Sequence, residues 1–369
     1  MTDNSPFSDA VSAEIKATLG RNRVHLNEIS EDSLELQNAA EDLLENGKRL
    51  RSRLSYWGWR AANWHSEPTR DFSSEAADKP IVALGAALEI FHTALLVHDD
   101  IIDNSDSRRG KPSAHRRFAT LHADRQWEGI DKDFGTASAI LLGDILLSLA
   151  DDGFLDCAMN LTGESQSNFR RELRNMRTSV SVGQYLDLLD GNAWRAIPIS
   201  ESLERAKKVA VYKTAKYSVE YPLVLGAILG SAPAETVSAL RAFALPLGFA
   251  FQLRDDLLGV FGDENQTGKP SGGDLIEGKR TVLLAIARSQ ADKSTLAVLD
   301  DLIGDPDLGE DQIHMLRATL LEIGAVTAVE DLIEKSRQRA LAVLAEMGLD
   351  GTIESALMTL TNAISRRSV

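Results

Sequence analysis

The chain is poor in cysteine and in positive charge, and each shortage excludes a class of protein. Of its 369 residues only Cys157 is a cysteine, so an intramolecular disulfide and a cluster of thiolate metal ligands are both excluded. Lysine and arginine total 40 against 55 aspartates and glutamates, which gives a formal net charge of −15. Surfaces that bind nucleic acid or anionic membranes need clustered basic residues, so neither partner is expected.

Long uninterrupted hydrophobic runs are also missing. The longest apolar stretch, residues 81–97, contains Glu89 and His92, whereas a membrane span needs about 20 apolar residues with few charges. We therefore predict a buried core helix there and no stable membrane insertion. The first ten residues lack the basic start and apolar core of a signal peptide. Together with the lone cysteine, this predicts a cytoplasmic protein.

Apolar residues at helical spacing dominate the rest of the chain. Few stretches alternate as strands do, and no linker rich in Pro, Gly or Ser divides the sequence. We predict a disordered segment at 1–10 and one all-α domain at 11–369. The predicted helices include 34–44, 136–150, 164–190, 199–212, 213–230 and 234–260, with a polar connection at 116–134.

The most informative segment is Asp-Asp-Ile-Ile-Asp at 99–103, which ends an apolar helix. Carboxylates at positions i and i+4 of a helix lie on one face about 6 Å apart, so Asp99 and Asp103 can share a cation. Mg²⁺ takes oxygen ligands and commonly bridges carboxylates to substrate phosphates. Arg108 and Arg109 follow, and guanidinium groups donate bidentate hydrogen bonds to phosphate oxygens. The segment predicts diphosphate chemistry, and a solvated helix C-terminus is the alternative.

A second acidic pair, Asp255 and Asp256, ends another apolar helix. The next turn carries Gly259 where a third acid would complete the pattern. Downstream, Lys269 and Lys279 lie in a glycine-rich segment that could close over a diphosphate and exclude water. The alternative is a surface loop with solvated lysines. If the two acidic faces were opposed across a bundle core, they would hold several Mg²⁺ ions.

A third set of candidates is basic. Lys48 and Arg51 lie three residues apart on the first turns of a helix, and His92 precedes Asp99 by two helical turns on the same face. All three are candidates for one anion, although a histidine on an apolar helix can instead be a satisfied core residue. We interpret Trp194 as a core or interface residue.

In order and spacing, these segments are similar to those of the trans-type isoprenyl diphosphate synthases, and the resemblance spans nearly the whole chain. It rests on Gly47-Lys48-Arg49-Leu50-Arg51, His92, Asp99 to Asp103 with Arg108-Arg109-Gly110, Gly183-Gln184 with Asp187, Lys213-Thr214, Phe251-Gln252 with Asp255-Asp256, and Gly278-Lys279. The resemblance implies an orthogonal all-α helical bundle around a deep central cavity, normally in a homodimer. It also implies a prenyltransferase of the EC 2.5.1 class that condenses isopentenyl diphosphate with an allylic diphosphate.

The resemblance also implies residue roles. It places isopentenyl diphosphate on Lys48, Arg51, His92 and Arg109, and the allylic diphosphate on Arg108, Lys213, Thr214, Gln252 and Lys269, with Lys279 as a further diphosphate ligand. It makes Asp99, Asp103 and Asp255 ligands of three Mg²⁺ ions, which Mn²⁺ can replace, supported by Asp100 and Asp256. Asp187 is expected to orient Lys213 or a metal-bound water. Lys213, Thr214 and Gln252 would stabilise the allylic cation with their oxygens.

Product length is implied by the residues that precede Asp99. In members of that family that stop at fifteen carbons, a bulky aromatic sits four or five residues before the first aspartate, where this chain has Leu95 and Ala94. The floor of the cavity then drops by at least one helical turn, about 5 Å, to Phe91 or Ile90. We expect a twenty-carbon product, geranylgeranyl diphosphate, with longer chains as the alternative.

Two departures from the family pattern stand out. Gly259 replaces the third acid of the second motif, and the first basic motif has Asn46 for Gly and Ser52 for Pro. Neither removes a charged ligand. Two other functions remain open. A non-catalytic subunit of a heteromeric synthase typically loses one aspartate cluster, and a class I terpene cyclase has no need of Lys48, Arg51 and His92.

Overall fold

The protein is almost entirely helical, as the sequence predicts. A computed structural model describes residues 5–45, 47–63, 79–108, 110–262 and 272–365. The helices are α1 (Ser5–Ile29), α2 (Leu34–Leu44), α3 (Leu50–Asn63), α4 (Lys79–Ile102), α5 (Ala114–Asp124), α6 (Asp131–Met159), α7 (Gly163–Ala193), α8 (Ile199–Val209), α9 (Tyr221–Leu229), α10 (Ala234–Phe261), α11 (Gly273–Ile276), α12 (Val282–Gln290), α13 (Lys293–Leu302), α14 (Glu310–Glu322), α15 (Ala325–Glu346) and α16 (Gly351–Ser365). A 3₁₀ turn (Glu31–Ser33), a π-helix (Ala210–Glu220) and a hairpin of β1 (Ser107–Arg108) and β2 (Lys111–Pro112) complete the elements.

Two segments differ from the sequence-based expectation. Residues 5–10, expected to be disordered, belong to α1, because Phe7 is buried with its ring centroid 4.6 Å from that of Tyr56. The first part of the polar connection expected at 116–134 is helical, because residues 116–124 belong to α5, whose Phe118 and Ala119 are buried. Its many polar residues conceal a short amphipathic helix. By contrast, α2 has the predicted bounds.

The chain folds into two compact units. Unit 1 comprises Met1–Glu172 with Pro222–Val237, and unit 2 comprises Leu173–Tyr221 with Ser238–Val369. The single domain expected for residues 11–369 stays a prediction.

In unit 1, α4 packs against α1, α3 and α6, and α6 also packs against α5. The largest fully buried side chains of this core include Leu84, Leu88, Ile90, Leu142, Leu146 and Phe154. Burying a leucine or phenylalanine side chain stabilises a fold by about 1.5–3 kcal/mol. Close approach of α4 and α6 depends on Gly143, because an added Cβ there would lie 2.6 Å from Cδ2 of His98. Gly143 therefore lets α6 approach α4 closely at His98, one residue before the acidic cluster.

Among the residues that the structure describes, three helices, α4, α6 and α10, are long and apolar enough to cross a bilayer when judged by length and composition alone. In α4, 67% of the apolar window is buried inside the protein, which is the burial predicted for a core helix. The corresponding shares are 44% in α10 and 33% in α6.

In unit 2, α12 is buried along most of its length and packs against α8 and α15. The core around it includes Leu253, Leu257, Leu299, Leu316 and Val329. A buried arginine fixes α10 in place. Arg254 donates bidentate hydrogen bonds to Glu330 on α15, at 2.6 and 2.7 Å, and a third to the carbonyl oxygen of Ser365 on α16, at 3.1 Å. The residue after Arg254 is Asp255, so this clamp positions the second acidic pair.

Candidate active site

The end of α4 carries the first acidic cluster on a defined turn. The backbone N–H of Asp103 donates to the carbonyl oxygen of Asp99 at 2.8 Å, so Asp103 keeps helical spacing although α4 ends at Ile102. Asn104 then adopts a left-handed conformation with φ of 51°, and Ser105 N–H donates back to the Asp100 carbonyl at 2.9 Å. This is a Schellman cap with asparagine in the position that glycine usually takes. It stops the helix while keeping both carboxylates on one face.

Arg108 lies against this acidic face. The β1–β2 hairpin pairs Arg108 with Lys111 and turns the chain back toward α4. Nε of Arg108 donates to both carboxylate oxygens of Asp100, at 3.0 and 3.3 Å, and Nη2 also donates to Asp100. Nη2 lies 3.7 Å from Oδ2 of Asp99 as well. Asp100 is 2% exposed, so this fork of hydrogen bonds holds a buried carboxylate and keeps a guanidinium beside the proposed metal ligands.

The basic segment at the start of α3 is fastened to α4 through Glu89. One carboxylate oxygen of Glu89 lies 3.9 Å from Nη1 of Arg49, and the other accepts the backbone N–H of Ser52 at 3.1 Å. Both Arg49 and Glu89 are buried. Breaking a buried ion pair by removing one partner costs about 3–5 kcal/mol. Glu89 thus ties the segment that carries Lys48 and Arg51 to the helix that carries His92.

This contact also accounts for Ser52, which stands where the family usually has proline. Proline has no backbone N–H, so it could not donate to Glu89. Sequence reasoning registered Glu89 only as an interruption of the apolar run. An acid inside a helix that is otherwise apolar was the available sign that it has a buried partner. Lys48 is exposed, while Arg51 and His92 are half-buried.

In unit 2, Lys213 and Thr214 lie on the π-helix rather than at the start of a new α-helix. Nζ of Lys213 donates to Oδ2 of Asp187 at 2.6 Å, so these two side chains are in direct contact. The π-helix lies very close to α7 at Gly183, where an added Cβ would be 2.6 Å from the Lys213 Cα and would overlap its nitrogen. Gly183 therefore sets the position of the Lys213 backbone.

The second acidic pair is partly buried. Asp256 is 4% exposed and accepts a hydrogen bond of 2.6 Å from Nε2 of Gln252. Burial, together with the neighbouring carboxylates of Asp274, Asp255 and Asp187, raises the pKa of Asp256 to about 8 against the lowering effect of the hydrogen bond from Gln252. Four carboxylates therefore interact electrostatically at this place, which is the environment that a bound cation relieves.

The acid missing at position 259 is compensated from elsewhere in the chain. The space where a Cβ of Gly259 would lie is taken by the carboxylate of Asp274, whose Oδ1 is 2.9 Å from that point and whose Oδ2 is closer. Lys279 Nζ lies 3.9 Å from Oδ1 of Asp274 and 2.8 Å from the carboxylate of Glu277. Asp274 thus brings a carboxylate and a lysine contact beside the helical turn that lacks its own acid. Sequence reasoning noted the gap at 259 but not this replacement.

Restoring the family residue is therefore expected to harm the protein. Gly259→Asp would force the Asp274 carboxylate away and add a charge beside Asp256, and Gly259→Ala would impose the steric part alone. We expect kcat to fall by about 10- to 100-fold in both, because misplacement by about 1 Å can cost 10² in rate. Gly273→Ala, with nothing within 4 Å of its added Cβ, is the matched control and should retain activity. Full activity of Gly259→Asp would show that Asp274 has no such role.

The acidic pairs of the two units fit Mg²⁺, which completes its ligand shell with water and substrate, better than a metal ion that is bound by protein ligands alone. Within the described ranges, no three His, Cys, Asp or Glu side chains are placed to hold a metal ion together. The donors are carboxylate oxygens in pairs, and Mg²⁺ is typically bound by one or two carboxylates with water and substrate phosphates completing its shell. Burial is the main cause of the raised pKa of Asp256, and the carboxylates of Asp274, Asp255 and Asp187 add a smaller contribution of negative charge that a cation would offset.

The predicted residues are distributed between the two units. Unit 1 holds Lys48, Arg51, Phe91, His92, Ala94, Leu95, Asp99, Asp100, Asp103 and Arg108. Unit 2 holds Asp187, Lys213, Thr214, Gln252, Asp255, Asp256 and Lys279. Arg109 and Lys269 lie outside the described residues. Ala94 is fully buried, Leu95 is half-buried, and the ring of Phe91 packs edge-on against Phe154 with centroids 6.1 Å apart.

The sequence is similar to those of known proteins over most of its length. The family model described as polyprenyl synthetase matches residues 33–320. A geranylfarnesyl diphosphate synthase of Natronomonas pharaonis is 30% identical over 348 residues, which cover 90% of this chain and 93% of that protein. A geranylgeranyl diphosphate synthase of Saccharolobus solfataricus is 30% identical over 287 residues, covering 76% and 79%.

A solved structure is similar over nearly the whole chain. The crystal structure of geranylgeranyl pyrophosphate synthase from Corynebacterium glutamicum, complexed with isoprenyl diphosphate and magnesium, has a TM-score of 0.90 at 33% identity, covering 99% of this chain and 100% of that one. The all-α fold is therefore that of the isoprenyl synthases. From the matched family, the shared fold and the two acidic clusters, it follows that the chain belongs to the polyprenyl synthetase family and is a prenyltransferase.

Proposed function

We propose that the protein condenses isopentenyl diphosphate with an allylic diphosphate, of the dimethylallyl, geranyl or farnesyl type, to give geranylgeranyl diphosphate. The observation that carries the proposal is that two groups able to hold a diphosphate are attached to one helix, α4. One is a carboxylate face that could hold diphosphate through Mg²⁺, and the other is a basic segment. The acidic face of Asp99 and Asp103 ends α4 beside Arg108, and Glu89 of the same helix fastens the segment of Lys48 and Arg51. Two groups of cations favour two diphosphate substrates, which a terpene cyclase does not need.

The carboxylates would hold the metal. In unit 1, Asp99 and Asp103 are proposed as Mg²⁺ ligands with Asp100 in support, and in unit 2 Asp255 is proposed as a Mg²⁺ ligand with Asp256 in support. Bound there with the substrate, Mg²⁺ supplies positive charge that stabilises the departing diphosphate. Arg108 is positioned by Asp100 to add a guanidinium to the same task. Lys213 and Lys279 are the further proposed cations for the allylic diphosphate.

The reaction then needs an environment for a carbocation. The bond between the allylic carbon and the diphosphate oxygen breaks, and the double bond of isopentenyl diphosphate attacks the resulting cation to form the new carbon–carbon bond. The side-chain amide N–H of Gln252 donates a hydrogen bond to Asp256, and this directs the side-chain carbonyl oxygen of Gln252 away from that carboxylate. This oxygen, with those of Thr214 and the Lys213 backbone, is proposed to stabilise the cation. The released diphosphate takes the proton, so no side-chain base is required.

The product-length proposal rests on α4. Ala94 is fully buried and small, and the next aromatic toward the N-terminus, Phe91, is braced by Phe154 of α6. A floor at Phe91 supports a twenty-carbon product. A longer polyprenyl diphosphate is the second candidate, favoured by a relative that is 30% identical and named geranylfarnesyl diphosphate synthase.

A larger side chain at position 94 should shorten the product. Ala94→Phe is expected to move the main product from twenty carbons toward fifteen, as judged by chromatography of the dephosphorylated alcohols. Because Ala94 is fully buried, overpacking could cost about 1–3 kcal/mol, so Leu95→Phe at the half-buried neighbouring position is tested beside it. Leu321→Phe, at a site 56% exposed on α14, is the control. An unchanged product in both folded variants would reject the floor.

The activity itself is tested with purified protein, isopentenyl diphosphate, Mg²⁺ and each allylic primer in turn. We expect condensation with at least one primer and a twenty-carbon main product. Absence of condensation with all primers, by a folded protein, would favour the non-catalytic subunit. Cyclic hydrocarbon from one allylic diphosphate alone would favour the cyclase.

We propose that the enzyme acts as a cytoplasmic homodimer. Support comes from α6, which exposes Leu141, Leu155 and Met159 at 57%, 55% and 71% on one helical face. Such an apolar face is typical of a surface that a second chain covers. Light scattering on the eluting protein should give the mass of two chains.

A further inference from the structure

Unit 2 contains a cleft that the proposed reaction does not use. It is an open cleft, and the space inside it reaches about 350 Å³ only when the adjoining open solvent is counted. We call it the Trp194 cleft. Its polar and aromatic lining consists of Asp190, Trp194, Ser202, Arg205, Arg280 and Arg288. The lining comes from the end of α7, from α8, and from the segment that leads into α12, so three parts of the chain build one concavity.

Three guanidinium groups surround the indole of Trp194. The Cζ atom of Arg280 lies 3.9 Å from the ring centroid, and those of Arg195 and Arg288 lie 4.9 Å from it. Cations within about 6 Å of an aromatic centroid are attracted by its π face. Because Arg280 already lies over the indole, the ring serves to position cations and is poorly placed to receive a nucleobase.

The positive charges of the cleft exceed the negative ones. Arg205 donates to Asp190 at 2.9 Å, and Arg288 is held by both carboxylate oxygens of Asp300, at 2.8 and 3.2 Å. These two pairs are balanced. Arg195 is exposed, and neither it nor Arg280 forms an ion pair with an acid among the described residues. Arg280 in the lining, and Arg195 outside the lining but against the same indole, are therefore the two cations left for a ligand.

Arg280 also retains unused hydrogen-bond donors. Its Nη2 donates to the carbonyl oxygen of Ile303 at 3.4 Å, whereas the buried Nε and Nη1 atoms have no hydrogen-bond acceptor within the part of the chain that the structure describes. Burial and the nearby guanidinium groups of Arg288 and Arg195 lower the pKa of Arg280 to about 10, against a smaller raising effect of the Asp300 carboxylate. An anion would supply both the missing acceptor and the missing charge.

We propose that the Trp194 cleft binds a dianion of the phosphate class, either inorganic phosphate or diphosphate, through the guanidinium groups of Arg280 and Arg195. Guanidinium groups present a planar fork that matches phosphate oxygens, which favours phosphate over a monovalent halide. Binding draws the Arg280 guanidinium from the indole toward the cleft, so the environment of Trp194 changes with occupancy. None of the residues that line the cleft is a proposed metal or substrate ligand of the prenyl transfer.

The test follows Trp194 directly. The chain has five tryptophans, so protein labelled with 5-fluorotryptophan gives five ¹⁹F resonances, of which that of Trp194 is identified as the one absent in Trp194→Phe. Phosphate and diphosphate are titrated separately, without divalent metal, against chloride at matched ionic strength. We expect a saturable shift of the Trp194 resonance with one or both phosphate species. The species with the lower half-saturation concentration identifies the preferred source.

Variants separate the cleft from other anion sites. Arg280→Gln should raise the half-saturation concentration by about tenfold or more. Arg195→Gln, a change at an exposed residue, should raise it as well. Arg174→Gln, an exposed arginine on α7, should leave it unchanged, and so should Arg51→Gln in the proposed substrate site. No saturable shift, the same shift with chloride, or half-saturation concentrations in Arg280→Gln and Arg195→Gln equal to that of the unsubstituted protein would overturn the proposal. Because no turnover is measured, these results stand apart from those on prenyl transfer.

Discussion

Asp99→Asn is expected to lower kcat by about 10²–10³-fold, the loss typical of removing one group that stabilises transition-state charge. The change keeps the shape of the side chain but removes a carboxylate that the proposed Mg²⁺ ligation requires. Asp103→Asn should have a comparable effect, because the helical hydrogen bond from its backbone N–H to the Asp99 carbonyl keeps both residues on one face. Steady-state rates with saturating substrates at several Mg²⁺ concentrations provide the measurement.

Asp152→Asn is the matched control, since Asp152 is an exposed acid on α6. It should keep the full rate. We also expect the apparent Mg²⁺ requirement to rise in Asp99→Asn, and a rate within twofold of the unsubstituted protein at low Mg²⁺ would contradict the assignment of Asp99 as a metal ligand.

Gly183→Ala is the second change for which we expect a large loss. The added methyl would overlap the backbone nitrogen of Lys213, and backbone atoms cannot turn away as a side chain can. Either α7 or the π-helix must move, which we expect to cost about 1–3 kcal/mol in the free energy of unfolding. The displaced Lys213 would lose its geometry with Asp187, so kcat should fall by about 100-fold. Denaturant unfolding and steady-state kinetics measure the two effects separately.

Gly191→Ala on the same helix provides the opposite case. Nothing lies within 4 Å of its added Cβ, and the position is exposed. Alanine in place of glycine inside a helix is worth about 0.5–1 kcal/mol, so this variant should become slightly more stable and stay active. If Gly183→Ala behaved like Gly191→Ala, the close packing of α7 on the π-helix would not control Lys213.

The parts of the molecule that the sequence predicted well are those governed by local spacing. The periodicity of apolar residues was sufficient for α2, and the i, i+4 relation of Asp99 and Asp103 follows from helical geometry alone. The contact between Asp187 and Lys213, by contrast, spans 26 residues of sequence. Family resemblance supplied that pairing, because spacing cannot.

The features that escaped prediction depend on long-range contacts. Glu89 bonds to Ser52 across 37 residues, and Arg254 reaches Ser365 across 111. Nothing in the local pattern of either segment names the partner. Asp274 was likewise separated from Gly259 by a glycine-rich stretch, and only the fold brings its carboxylate to the empty position. The β1–β2 hairpin escaped because each strand has two residues, too few to show an alternating pattern.

The π-helix has a consequence for how this part of the chain tolerates insertions and deletions. Its hydrogen bonds run five residues back, as in the bond from Tyr221 N–H to the Lys216 carbonyl, so each residue advances the helix by less rotation than in an α-helix. Deleting one residue between Ala210 and Glu220 would let the ladder tighten toward α-helical spacing. Lys213 would then turn relative to α8 and point away from Asp187 on α7, even though every proposed catalytic side chain was still encoded.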